Sequence, residues 1–272
     1  MKSGFVALIG RSNTGKSTLL NALVGTKISI VTSKPQTTRE VIHGVVHDPR
    51  GQIVFVDTPG IFEQSHSALT RQLNERANES LTGVEVILYI TDPTRAIGNE
   101  ERIVLRTLEP IKTKKILVLN KTDQRTPFLD EYLELATRFD DKIEVSAKTG
   151  KNLNLLKDKI FEFLPEGEPF YPENRITNLE HKTWVEELIR EKLYIQLHRE
   201  LPYTTEVEIE EEEERKNGVL YIKANIRTDS PNHRKMIIGE GGHKIKEIGT
   251  VARKELERIM GRKVYLELEV SC

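Results

Sequence analysis

Residues Gly10–Ser17 read GRSNTGKS, and no other stretch narrows the fold of this chain as much. The octapeptide fits G-x-x-x-x-G-K-[ST] and lies where that pattern requires, after the apolar run Phe5–Ile9 and before the helical stretch Lys16–Val24. A strand that turns into a helix through glycines can wrap main-chain amides around phosphate oxygens, and the helix N-terminus adds fixed positive charge. Gly10, Arg11, Ser12, Asn13, Thr14, Gly15, Lys16, Ser17 and Thr18 are the expected phosphate-binding residues. Lys16 is expected to reach the β- and γ-phosphates, and the Ser17 hydroxyl to bind Mg2+. The competing reading is a chance glycine-rich turn, and the flanking strand and helix weigh against it.

The loop opens a regular alternation. Strands are expected at Phe5–Ile9, Val41–His47, Ile53–Asp57, Val86–Thr91, Ile116–Asn120 and Ile143–Val145. Helices are expected at Lys16–Val24, Ala68–Ser80, Asn99–Leu108, Leu129–Arg138 and Asn152–Leu164. Such alternation predicts an α/β unit with a mostly parallel sheet and ligands beyond the carboxyl ends of its strands. Two further motifs end strands. Asp57-Thr58-Pro59-Gly60 offers a carboxylate for Mg2+ and an amide for the γ-phosphate. Asn120-Lys121-Thr122-Asp123 offers a carboxylate that can accept from N1 and N2 of guanine, a pair that adenine lacks. Asn120 would brace the phosphate loop, the Lys121 stem would cover the base, and Ser146-Ala147-Lys148 could present an amide to guanine O6.

GRSNTGKS, TTR, DTPG, NKTD and SAK, in this order, resemble the motif series of the translation-factor-like GTPases over roughly residues 4–164. The resemblance implies that Thr38, with Thr37 as the alternate, closes on Mg2+, and that the loop holding it and the segment after Gly60 are the two switches. Lys16, Thr38 and Gly60 are then the catalytic groups. They act by positioning and charge neutralisation, because the nucleophile is water. Ras-like members carry a glutamine after this glycine; here Ile61 stands there, so slow intrinsic hydrolysis is expected. Some relatives gain rate from K+ held by a phosphate-loop asparagine, and Asn13 occupies that position, so K+ is an expected accelerator.

With 272 residues the chain has room for a second domain. Pro165–Pro172, PEGEPFYP, cannot continue a helix, which suggests a GTP-binding domain over 1–164, a linker over 165–175 and a second domain over 176–272. The pattern then becomes a helical stripe (Trp184, Leu188, Leu193, Leu197), a hairpin turning at Asn217-Gly218, helical pieces around Asn232–Ile238 and His243–Met260, and a strand alternating from Val264 to Val270. Glu180–Glu214 holds four Lys/Arg against twelve Asp/Glu, whereas Arg215–Lys263 holds thirteen against five, so the second segment is a candidate polyanion surface. Gly239-Glu240-Gly241-Gly242 fits the GxxG loop with which K-homology (KH) domains clamp a nucleic-acid backbone. Arg234, Lys235, Ile238, Gly239, Gly241, Gly242, Lys244, Lys246 and Arg253 are the candidate RNA contacts.

PQTTR, Arg190–Glu210 and IIGEGGHKIKEIG resemble the Era family of bacterial ribosome-assembly GTPases over nearly the full chain. That resemblance implies a P-loop GTPase domain plus a smaller α+β type II KH domain. It implies GTP and GDP with Mg2+ as cofactors, and 16S ribosomal RNA near its 3′ end in the small ribosomal subunit as partner, without DNA. A cytoplasmic place is expected, with peripheral association at the inner face of the cell membrane left open. The lone cysteine, Cys272, allows no disulfide within the chain, and Phe5–Ile9 runs straight into the glycine loop, so no secretion signal is expected. Two other classes compete: an RNA-binding protein with incidental nucleotide binding, and a P-loop ATPase, which Asp123 argues against.

Overall fold

The computed structural model describes residues 1–32, 41–58, 75, 77–197 and 201–272. Two compact units divide after Asn178. In the first, β1 (Lys2–Ile9), α1 (Lys16–Val24), β2 (Ile42–Asp48), β3 (Gly51–Asp57), β4 (Val86–Thr91), α2 (Asn99–Leu108), β5 (Lys114–Leu119), α3 (Leu129–Glu134), β6 (Asp141–Glu144) and α4 (Leu153–Phe163) follow in order. The sheet runs β2-β3-β1-β4-β5-β6; β2 is antiparallel to β3 and every other pair is parallel. Because helices cover it, its inner strands are largely buried, and every residue of β3 and β4 is. The phosphate loop, Asp57, Asp92, Asn120 and Ser146 all lie just past or at the carboxyl ends of these strands, which brings the motifs together.

Helix expectations hold at α1 and α2. The stretch expected as one helix over Leu129–Arg138 is α-helical only to Glu134 and tightens into a 3-10 turn over Leu135–Arg138, after which the Phe139 ring stacks on Tyr89 at 5.6 Å. Asn152, expected to open α4 from within, precedes it with φ 61°. Of the helix expected at Ala68–Ser80, only its C-terminal part falls among the described residues.

Residues 165–178, which include the expected linker, lie along the first unit. Pro165 O accepts from Ser3 N, Ile176 O accepts from Val45 N, and Gly44 and Thr177 form a bridge on the β2 edge. Gln52, 1% exposed, holds this segment with both ends of its amide. Its Oε1 accepts from Phe170 N at 2.8 Å and Tyr171 N at 3.0 Å, and its Nε2 donates to Tyr171 O at 2.7 Å. The prolines prevent helix, as the sequence says, but the aromatic pair between them fills the edge of the sheet: Phe170 packs on Phe5, and the Tyr171 hydroxyl meets His43 Nδ1 at 2.8 Å.

The second unit runs α5 (His181–Gln196), β7 (Thr205–Glu214), β8 (Leu220–Thr228), α6 (Pro231–Ile238), α7 (His243–Met260) and β9 (Val264–Ser271). β7 and β8 are antiparallel, and β8 and β9 parallel. Val185, Leu188 and Ile189 of α5 and Ala252 and Leu256 of α7 pack on Ile209, Ile222, Ala224 and Val264 of the sheet. The hairpin closes at Asn217-Gly218, where Gly218 has φ 76° and donates to Arg215 O.

Candidate functional site

Gly10 closes β1 so tightly that a Cβ there would stand 2.4 Å from the Ile90 carbonyl oxygen. Gly15 has φ 97°, and its Cβ would meet Asn120 Nδ2 at 2.5 Å, so neither glycine has a substitute. Among the described residues no side chain caps the α1 N-terminus, and a helix N-terminus there suits an anion. Lys16 is 7% exposed and donates to Gly10 O at 3.0 Å and Arg11 O at 2.9 Å. Burial pushes its ammonium down to about 8 against the pull of Asp57 and Glu100, with Arg11 adding to the fall. Phosphate oxygens in the cradle would supply the anion that this buried charge lacks.

Ser17 Oγ donates to Asp57 Oδ2 at 2.8 Å, and Ser29 Oγ donates to the same oxygen at 2.9 Å. Asp57 Oδ1 is buried and finds no hydrogen-bond partner among the described residues. Burial raises the Asp57 carboxyl, opposed by Lys16 and the two serines. An unmatched carboxylate oxygen beside a serine hydroxyl is an all-oxygen donor set of the kind Mg2+ prefers, so these residues fit the expected ion.

The base loop is locked to the phosphate loop. Asn120 Nδ2 donates to Thr14 O at 2.9 Å, while its Oδ1 accepts from Ala147 N at 3.0 Å, so one buried amide braces both neighbours. Lys121, with φ 63°, donates to Asn13 O at 2.8 Å and to Asp92 Oδ2 at 2.6 Å. Ser146 Oγ donates to Asp123 Oδ1 at 2.7 Å and accepts from Thr149 N, which fixes the carboxylate that would read guanine. Lys148 is exposed beside it.

Not every residue of the motifs turns toward this cleft. Thr58 is buried and donates to Leu8 O at 2.9 Å, and Arg11 sends its side chain inward to Glu101, so both would serve through backbone or support. Thr37, Thr38, Pro59, Gly60 and Ile61 lie outside the described residues. Ser29, Asp92, Glu101 and Tyr132 join the site without any motif to announce them. Ser29 is held by Asn21, whose Oδ1 accepts from Ile28 N and Ser29 N and whose Nδ2 donates to Ser29 O at 2.7 Å.

In the second unit, Gly239, Gly241 and Gly242 all have positive φ, at 74°, 56° and 78°, between α6 and α7. A Cβ on Gly239 would stand 2.6 Å from the Lys244 Cβ. Lys235, Lys246 and Glu240 are exposed, and Met236 is 60% exposed beside them. Some expected RNA contacts already have partners: Arg234 Nε donates to Val270 O at 2.8 Å, Lys244 to Gln196 Oε1 at 3.1 Å, and Arg253 to both Glu257 oxygens at 2.9 Å. Ile238 is half-buried at the loop's edge.

Comparison with known proteins covers both units. The family described as 50S ribosome-binding GTPase matches residues 5–121, and the KH domain family matches residues 200–271. GTPase Era of Halothermothrix orenii is 41% identical over 275 residues, covering 99% of this chain and 92% of its own length. The chain belongs to the Era family of GTPases. GTPase Era of Trichlorobacter lovleyi is 44% identical over the same span. Among solved structures, Era in complex with MgGDPNP and nucleotides 1506–1542 of 16S ribosomal RNA has a TM-score of 0.91 at 39% identity, covering 99% of this chain and 93% of that one. A variant of Aquifex aeolicus Era bound to GDP·AlF4− matches equally well, with the same TM-score and coverage. Membership in the Era family makes this chain a GTPase, with the P-loop and KH architecture expected from its motifs.

Proposed function

We propose that the chain binds and hydrolyses GTP with Mg2+ in the cleft between Gly10–Thr18, Asp57, Asn120–Asp123 and Ser146–Lys148, and that its nucleotide state governs binding of the 16S rRNA 3′ region by the Gly239–Gly242 loop during small-subunit maturation. The observation that carries this reading is Asn120: one side chain bonds the phosphate loop at Thr14 and the base-side loop at Ala147, so phosphate and base are read by one rigid piece.

Lys16 lets go of the loop carbonyls and neutralises β- and γ-phosphate oxygens, while the α1 amides and the loop glycines hold the phosphates in place. Ser17 and Asp57 would hold Mg2+, joined by Thr38 or, as the alternate, Thr37; the ion would supply charge neutralisation on the phosphates. The Gly60 amide is assigned to the γ-phosphate. Asp123, oriented by Ser146, selects guanine. Water is the nucleophile, and no protein group is assigned as its base. K+ at Asn13 is part of the proposal: hydrolysis runs several-fold faster in K+ than in Na+, and equal rates would remove the ion from the account.

RNA is held by the backbone at Gly239, Gly241 and Gly242, with Lys235, Lys244 and Lys246 supplying charge. The cytoplasm is the proposed place of action, with peripheral contact at the inner face of the membrane; no helix among the described residues is long and apolar enough to cross one. The deciding experiment measures the affinity of the protein for a 16S rRNA 3′-terminal fragment with a GTP analogue and with GDP. Tighter binding with the analogue is expected. Equal affinities would reduce the chain to a GTPase joined to an RNA module without a switch.

A further inference from the structure

Asp92 follows β4 and has no place in any nucleotide motif, yet it is 1% exposed at the junction of the two loops that form the cleft. Its Oδ1 accepts from Thr94 Oγ1 at 2.6 Å and Thr94 N at 3.1 Å. Its Oδ2 accepts from Lys121 Nζ at 2.6 Å and lies 3.9 Å from Arg11 Nη2. One carboxylate therefore faces a cation from the phosphate loop and a cation from the base loop. Burial alone would push its carboxyl up, but hydrogen bonds from Lys121 and Thr94 outweigh burial and keep it below its ordinary value.

The surroundings balance the charge. Arg11 Nε donates to Glu101 Oε1, which also accepts from the buried Tyr132 hydroxyl at 3.2 Å. Two acids and two bases thus share the space beneath the cleft, the arrangement that buried charges require. Lys121 is the member that reaches outward. Its ammonium is tied at both Asp92 and Asn13 O, and its backbone has φ 63°, a conformation that a lysine keeps only where its neighbours impose it. With both the backbone and the ammonium fixed, the four methylenes between them have one course.

We infer that Asp92 is a positioning residue for the guanine base, acting through Lys121: by anchoring the ammonium it sets the lysine stem as a fixed wall against the face of the base. Asp92 touches neither base nor phosphate itself. The inference rests on the proposed nucleotide reading of the cleft.

The test uses the full chain with Mg2+ and measures dissociation constants for GDP and for inosine diphosphate, which lacks the 2-amino group that Asp123 reads. Asp92→Asn removes the charge that anchors Lys121 and keeps the shape. GDP and inosine diphosphate should both bind about tenfold more weakly, the cost typical of a lost supporting contact. The ratio between them stays that of the unaltered protein, because Asp123 and Ser146 are untouched. In a Lys121→Met background, Asp92→Asn should cause no further loss. An unchanged GDP constant, a collapsed ratio, or a full additional loss in the Lys121→Met background overturns the inference. Should Asp92→Asn not fold, Thr94→Val removes the hydroxyl donor from the same carboxylate while the Thr94 amide and every charge stay in place; a loss of roughly threefold for both ligands is expected, and no loss overturns the inference equally. Failure of the unaltered protein to bind GDP would instead refute the nucleotide reading.

Discussion

At the nucleotide cleft Lys16 is 7% exposed, Asp57 is fully buried, and Ser17, Asn120 and Lys121 each bond a named partner on another loop. Around the Gly239–Gly242 loop, Lys235 and Lys246 stand in solvent and make no ion pair among the described residues, and the glycines carry the shape. On the proposed reading the first surface would recognise by desolvated charges and dipoles set in advance, so a single group would carry a large share of the free energy. The second would recognise by close approach of backbone and by the sum of many exposed charges, each worth little and each sensitive to salt. Replacing one residue should therefore be severe in the cleft and mild at the loop.

The sharpest break in that contrast would come from Lys16→Ala. Removing a charge assigned to the β- and γ-phosphates should weaken GTP by roughly a thousandfold and GDP, which has no γ-phosphate, by less, since each charge-assisted hydrogen bond contributes about 1.5–3 kcal/mol. Isothermal titration would show it, with RNA-fragment affinity in the absence of nucleotide unchanged. Asp123→Asn comes next: GDP should weaken about a hundredfold and xanthosine diphosphate should gain, because the amide now offers a donor where the carboxylate offered only acceptors. Unchanged GDP affinity in that variant would take Asp123 out of base recognition.

At the other surface, Lys244→Glu together with Lys246→Glu should weaken the RNA fragment roughly tenfold at moderate salt and lower the slope of log affinity against log salt by about 1.4, the share of two phosphate contacts on single-stranded RNA. An unaltered slope would remove the basic surface from RNA binding. Nucleotide affinity should not move.

The smallest effect is one of pH. Burial holds Lys16 down to about 8, and phosphate oxygens beside it would raise it again. Binding then takes up a proton, so GDP affinity falls as pH rises through 8, by about threefold between pH 7.5 and 8.5. Titrations in buffers of different ionisation enthalpy would register the uptake; its absence would mean that Lys16 is fully charged in the free protein.

Much of the cleft was legible in sequence because phosphate and guanine chemistry demand particular residues at particular strand ends. GRSNTGKS, NKTD and SAK could be placed before any coordinates, and Asn120 does brace the phosphate loop as expected. The supports were not legible. Glu101 meets Arg11 across ninety positions, and Asp92 meets Lys121 across twenty-nine; nothing local in either stretch marks a buried ion pair. Ser29 reaches Asp57 from an apolar run that reads as ordinary chain. PEGEPFYP reads as a linker because prolines forbid helix and no local rule foretells that Gln52 will hold Phe170 and Tyr171. Local chemistry is written in short patterns, whereas partners brought together by topology become visible only once the sheet order is known.

The account stands or falls on the cleft, and a direct titration of the purified protein with Mg·GDP and Mg·ADP tests it best. GDP should bind readily and ADP roughly ten-thousandfold more weakly, the discrimination expected where a fixed carboxylate is left unpaired by the wrong base. Equal affinities, or no binding of either, would contradict it.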